Sequence, residues 1–235
     1  MRNIFLLLSL AFFLHTSAQT NTFDALLKKH VNTKGNVNYK GFKQDETQLK
    51  AYLNELAVTK PQKSWTAAKT KAFWVNAYNA YTIQLILDNY PLKSIMNIKK
   101  KGKDAWSIPF AKVGGKTYTL NQIEHEILRK KYNDPKIHVA VNCASKSCPK
   151  LANYAFTEEN YDTKTTALMK SFINDSSRNK ISENRLQLSK IFEWFKGDFT
   201  KKGDLIDFLN QYSSVKINKK ATIGYLEYNW SLNGR

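Results

Sequence analysis

Cysteine is scarce in this 235-residue chain: there are two, Cys143 and Cys148. A disulfide-stapled miniature fold is excluded, and the length allows a hydrophobic core that needs no such staples. Proline (five) and glycine (nine) are also sparse. No Pro/Gly/Ser linker, internal repeat or low-complexity tract interrupts the chain, so residues 19–235 read as a single domain. Acidic residues are few, 19 Asp and Glu against 37 Lys and Arg, for a net charge of +18. Gly-rich phosphate loops, Gly-x-Ser-x-Gly elbows, C-x-x-C pairs and H-E-x-x-H helices do not occur. Without them neither a cofactor nor a metal is expected.

The one long apolar run lies at the start, in MRNIFLLLSLAFFLHTSAQT. Arg2 precedes it, it runs from Ile4 to Leu14, and Thr16, Ser17 and Ala18 close it. This is the order of a secretory signal peptide. The run is about half of the roughly 20 residues that cross a bilayer. Cleavage after Ala18 is expected, with a periplasmic or extracellular site of action and no transmembrane segment in the mature chain. The positive charge draws anions. An exported chain meets little nucleic acid, so an anionic envelope polymer, an acidic partner or a peptide-like substrate is the expected ligand. The charge pattern leaves oligomeric state open.

Periodicity predicts helices over Phe23–Val31, Gln44–Leu56 and Ser64–Asn89, with Ser64 as the cap of the third. The middle of that third helix, AFWVNAYNAYTIQLIL, is apolar on nearly all sides and reads as the centre of the core. Gly114-Gly115 marks a hairpin between Ser107–Val113 and Lys116–Tyr118. Thr119 and Gln122 form a capping box for a helix ending near Tyr132. Lys136–Asn142 alternates like a strand. Further on come a helix capped by Thr157, a strand over Arg185–Ser189, two short helices and a final strand in TIGYLEYNWSLN. The mixture predicts an α+β fold, a buried central helix packed with further helices on a small, mainly antiparallel sheet.

Three sets of polar residues conflict with their apolar settings, and functional sites concentrate at such conflicts. Asn76 and Asn79 share one face of the central helix. Buried amides there either tie down loop backbone or orient a catalytic histidine or oxyanion. Glu124 points into the stripe of Leu120, Ile123, Ile127 and Leu128, with His125 on its flank. A carboxylate so placed is paired or tuned for acid–base work. The third set is His138, Asn142, Cys143, Ser145, Ser147 and Cys148. A Cys143–Cys148 disulfide would close a very short loop, worth only about 2 kcal/mol by chain entropy. A catalytic thiol at Cys143, with His125 or His138 near it, is the alternative.

The segments FWVNAYNAYTIQLIL, LNQIEHEILR and HVAVNCASKSCPKL, in this order, resemble the family called domain of unknown function 547. The closing YNWSLN is similar to its C-terminal signature, except that Asn229 stands where Asp is expected. The resemblance spans Ser64–Asn233. Its pattern falls on Trp74, Asn76, Tyr78, Asn79, Glu124, His125, Cys143, Ser147 and Pro149, and implies an exported α+β domain with some likeness to papain-like and transglutaminase-like folds. It also implies that Cys143 matters more than Cys148. The leading expectation is a thiol hydrolase or acyltransferase acting on amide or peptide-like bonds. Cys143 would be the nucleophile and His125 the base, with His138 in reserve. Glu124 or Asn79 would orient the ring, and backbone N–H groups of Ala144–Ser147 would serve the oxyanion. The alternatives are a non-enzymatic envelope module with a structural Cys143–Cys148 disulfide, and a thiol–disulfide exchanger.

Overall fold

The computed structural model describes residues 20–234; the expected signal peptide, residues 1–18, lies outside them. The first helix, α1 (20–30), buries Phe23, Leu26, Leu27 and His30, the face set by helical spacing. Helices α2 (Tyr39–Gln44) and α3 (Glu46–Val58) follow. Asn38 caps α2 by accepting the Gly41 N–H.

The centre is α4 (Ala67–Asp88). Its cap is Thr66, whose hydroxyl accepts the Lys69 N–H at 3.2 Å, rather than Ser64. Both hydroxyls precede an apolar run, but only Thr66 is in register with the first turn. From Ala72 to Leu87 nearly every side chain is buried. Each large apolar side chain removed from water contributes about 1.5–3 kcal/mol, so burial on all sides sustains α4. Among its buried polar side chains, Lys71 bonds Asp134 at 2.7 Å and the Gln84 amide donates to Glu46 and Asp88, whereas Thr82 Oγ1 and Gln84 Oε1 have no hydrogen-bond partner.

Strands β1 (Lys99–Lys100) and β2 (Lys103–Asp104) form one antiparallel pair. Strands β3 (Ala111–Val113) and β4 (Lys116–Tyr118) form the hairpin at Gly114-Gly115. Both glycines have positive φ, 57° and 80°, as a tight two-residue turn requires. The Thr119–Gln122 capping box is present, each backbone N–H bonded to the other's side chain at 3.0 Å. The helix it opens is a π helix over Gln122–Arg129 that ends as α5 (Lys130–Tyr132).

Residues Ile137–Ala140, expected as part of a strand, form the short helix α6. Asp134 starts the turn by accepting the Lys136 N–H on its carboxylate and the Ile137 N–H on its carbonyl. All four residues of α6 are buried, so the alternation read from the sequence has no polar face behind it, and a short apolar run carries no period of its own. Helix α7 (Tyr161–Ile173) packs on α6 and α4. Beyond it, β5 (Lys180–Ile181), β6 (Arg185–Leu188) and β7 (Thr222–Tyr225) form a three-stranded sheet. Its β5–β6 pair is antiparallel and its β6–β7 pair parallel. Helices α8 (Lys190–Trp194), α9 (Lys196–Phe199) and α10 (Leu205–Asn210) lie between β6 and β7. The fold is α+β, with three small sheets in place of one. No helix among the described residues is long and apolar enough to cross a membrane.

The tail returns to the middle of the chain. Lys146 N–H bonds Ser231 O, Ser147 N–H bonds Asn229 O, and Asn233 N–H bonds Ala144 O. Gly234 passes so close to the Val37 carbonyl that no Cβ fits there. These bonds seat the tail against the loop that carries both cysteines.

Candidate active site

A cavity of about 190 Å3 brings Glu124, His125, His138, Cys143 and Cys148 together. Tyr78 from α4, Trp106 and Asn121, Ile191, Trp194 and Phe195 near α8, and Tyr228 and Trp230 from the tail complete much of its wall. Asn76 and Asn79 do not line it. Each uses its whole amide on loop backbone. Asn76 donates to Phe156 O at 2.8 Å and accepts Phe156 N–H at 2.9 Å. Asn79 donates to Ala140 O at 2.9 Å and accepts Asn142 N–H at 2.9 Å. Neither amide bonds a histidine; Asn79 instead fixes the backbone one residue before Cys143.

The Cys143 loop is held from several directions. Buried Asn142 donates to Pro149 O at 2.8 Å, and its side-chain oxygen accepts from Ala144 N–H and the Asn233 amide. Ala144 sits in the left-handed region at φ 58°. A residue other than glycine stays there only when its surroundings enforce it, and such outliers cluster at functional sites. The loop N–H groups expected to serve an oxyanion are already engaged. Ala144 N–H bonds Asn142, Ser145 N–H bonds the Cys143 sulfur, and those of Lys146 and Ser147 bond the tail. This loop therefore offers no free N–H to an oxyanion.

Cys143 and Cys148 are both free thiols, not the structural disulfide considered from the sequence. Cys143 is half-buried and Cys148 buried. The Cys143 N–H donates to Cys148 Sγ at 3.2 Å. Cys143 Sγ lies 3.2 Å from Ser145 Oγ and 3.3 Å from Tyr228 Oη, and the two hydroxyl oxygens are 2.9 Å apart. One thiol and two hydroxyls thus close a ring of hydrogen bonds. The hydrogen bond from Cys148, followed by those from Ser145 and Tyr228, outweighs burial and lowers the Cys143 pKa to about 7. Burial, reinforced by the Cys143 charge, pushes Cys148 and Tyr228 well above their usual ranges. Both therefore stay protonated and donate.

The two histidines are held in different states. His125 Nδ1 accepts from the Arg129 guanidinium at 3.0 Å. The guanidinium cannot accept, so the neutral ring carries its proton on Nε2. His138 is buried, stacked on Phe195 with centroids 4.3 Å apart, and its Nε2 bonds Asp198 Oδ2 at 2.8 Å. With the carboxylate taking Nε2–H, the lone pair falls on Nδ1. Burial raises the Asp198 carboxyl, but hydrogen bonds from His138 and Arg129 overcome it and hold the pKa well below the usual carboxylate range. Arg129 Nε contacts Asp198 at 2.7 Å, so one guanidinium bonds both the carboxylate partner of His138 and the ring of His125.

Glu124 is buried, and its partner is the Tyr78 hydroxyl rather than Lys or Arg. The π helix places Glu124 and His125 together on the cavity while Ile123, Ile127 and Leu128 are buried. Stretches of π helix recur at functional sites. Sequence reading passes over Asp198, Arg129 and Tyr228. Asp198 lies 60 residues from its histidine, and no local pattern distinguishes it from other surface acids. Tyr228 stands in a segment read as a strand, although the likeness of YNWSLN to a family signature pointed there.

The fold and site define an α+β chain with a polarised thiol beside two differently held histidines. Residues 62–173 match the family described as Protein of unknown function, DUF547, and this stretch is a DUF547 domain. The match includes Glu124, His125, His138 and both cysteines; Asp198 and Tyr228 lie beyond it. Comparison with curated proteins and with solved structures finds no match.

Proposed function

We propose that this protein is a thiol-dependent hydrolase or acyltransferase of amide or peptide-like bonds. The observation that carries the reading is one cavity lined by both Cys143 and buried His138, whose Nε2 bonds the half-buried Asp198 behind it. Cys143 Sγ attacks the carbonyl carbon and forms the C–S bond, while its proton passes to His138 Nδ1. Asp198 orients the ring and stabilises the imidazolium, as the third member of such a triad does. His138 then returns the proton to the departing amine. Water or a second amine attacks the thioester and restores the thiol.

This assignment moves His138 from reserve to principal base. Arg129 occupies His125 Nδ1 and leaves that ring its Nε2–H, so His125 fits better as an Nε2–H donor to the oxyanion. The leader-like segment from Arg2 to Ala18 supports action outside the cytoplasm. Trp106, Trp194 and Trp230 give the cavity an aromatic wall that admits substrate and limits water.

An activated acyl ester such as p-nitrophenyl acetate tests the reading through its burst and the mass of the acyl-protein. The intact protein gives a burst and an adduct at Cys143. Cys143→Ala gives neither, and Asp198→Asn slows acylation by about 10²-fold or more as the histidine loses its orienting charge. Unchanged turnover in Cys143→Ala overturns it.

A further inference from the structure

The acyl-transfer reading gives Cys148 no covalent role, yet the structure places this buried thiol against the nucleophile. The Cys148 thiol hydrogen-bonds the Cys143 sulfur, and the Cys143 N–H points back at Cys148 Sγ. The loop between them is fixed independently of any bond between the sulfurs. Lys146 and Ser147 are pinned to the tail, Cys148 N–H bonds Ser145 O, and Arg178 donates to Cys148 O and Lys146 O. Both thiols line the cavity and differ in exposure: Cys143 is half-buried and Cys148 is 4% exposed. Asymmetry of this kind separates an attacking thiol from a resolving one, although the C-x-x-C spacing common in such chemistry is absent.

We propose that Cys143 and Cys148 form a reversible dithiol–disulfide couple that exchanges with small disulfides, Cys143 attacking and Cys148 resolving. The Cys143 thiolate displaces one thiolate from the small disulfide and forms a mixed disulfide. Cys148 then loses its proton, attacks Cys143 Sγ and releases the second thiolate. Two protein thiols are oxidised and one small disulfide is reduced to two thiols. The reverse sequence, driven by a small thiol, restores the dithiol. The lowered Cys143 pKa of about 7 favours the first attack near neutral pH. The couple needs only the two sulfurs and their loop, so it is independent of the acyl-transfer reading. The oxidised form masks the nucleophile that reading uses.

The test is equilibration of the purified chain across ratios of reduced to oxidised glutathione, followed by acid quench, alkylation and intact mass. The chain has only two cysteines, so every adduct is assignable. The expected result is one step from two alkylated thiols to none, with no glutathione adduct held by the wild-type chain. Cys148→Ala, or Cys148→Ser if the first variant does not fold, retains glutathione on Cys143. Thiols that stay alkylatable at every ratio overturn the proposal. So does a persistent glutathione adduct on the wild-type chain. The readout is the state of the sulfurs, so acyl-enzyme formation can fail or succeed without affecting it.

Discussion

At the scale of single residues, the chemistry of Cys143 is set by neutral donors. Cys148, Ser145 and Tyr228 stabilise its thiolate by hydrogen bonds, and burial opposes them. The folded pKa is about 7, below the ordinary thiol value of 9.0. A depressed acid pKa means that the folded state favours the thiolate. The associated stability is fully present above pH 9 and is lost as pH falls through 7. Alkylation of Cys143 by iodoacetamide should therefore rise with a midpoint near 7, and Cys148→Ala should move that midpoint upward by removing the strongest donor. A midpoint at or above 9 in the wild-type chain contradicts this account. The two histidines differ in their partners: His138 has a carboxylate behind it and His125 a guanidinium.

At the scale of elements, α4 acts as a post from which loops are hung. Asn76 holds the loop at Phe156, and Asn79 holds the one at Asn142. Removing either amide leaves a buried N–H and a buried C=O unpaired, at about 1–3 kcal/mol for each group. Asn76→Ala and Asn79→Ala should lower stability to urea by similar amounts. Only Asn79→Ala should change the pH profile of Cys143 alkylation, because only its loop carries the thiol. Equal effects on that profile would argue against a positioning role for Asn79. The π helix is the second such element: its wider turns present Glu124 and His125 to the cavity together, with Arg129 reaching back to His125.

At the scale of the whole molecule, the excess of Lys and Arg includes an open groove of about 950 Å3. Lys28, Lys29, Lys93 and Lys146 stand along it. Lys28 and Lys29 are engaged with Asp24 and Asp45. We propose that this face holds an anionic envelope polymer, whether or not the cavity turns it over. Binding of a polyanion such as heparin should weaken several-fold as salt rises from about 0.05 to 0.5 M, since screening shortens the Debye length. It should weaken again in Lys93→Glu/Lys146→Glu. Salt-insensitive binding would count against the groove.

Much of this molecule is written in local pattern. The all-round apolar stretch from Ala72 to Leu87 has no stable place except a core, so α4 is legible as a buried helix. The Thr119–Gln122 box and the Gly114-Gly115 turn are short-range chemistry and can be read directly. The conflict of Glu124, His125 and Cys143 with their surroundings singles out residues that line one cavity, since burying polar groups without partners is costly. What stayed hidden depends on distance along the chain. Whether Ile137–Ala140 coils or extends was decided by Asp134 and by packing against α7. Which partner holds each histidine was decided by Asp198 and Arg129, which come from separate helices. The donors that polarise Cys143 include Tyr228, 85 residues away. Local pattern records what each segment can bury and where it must turn. The partner that sets a proton's place is selected only when the chain closes on itself.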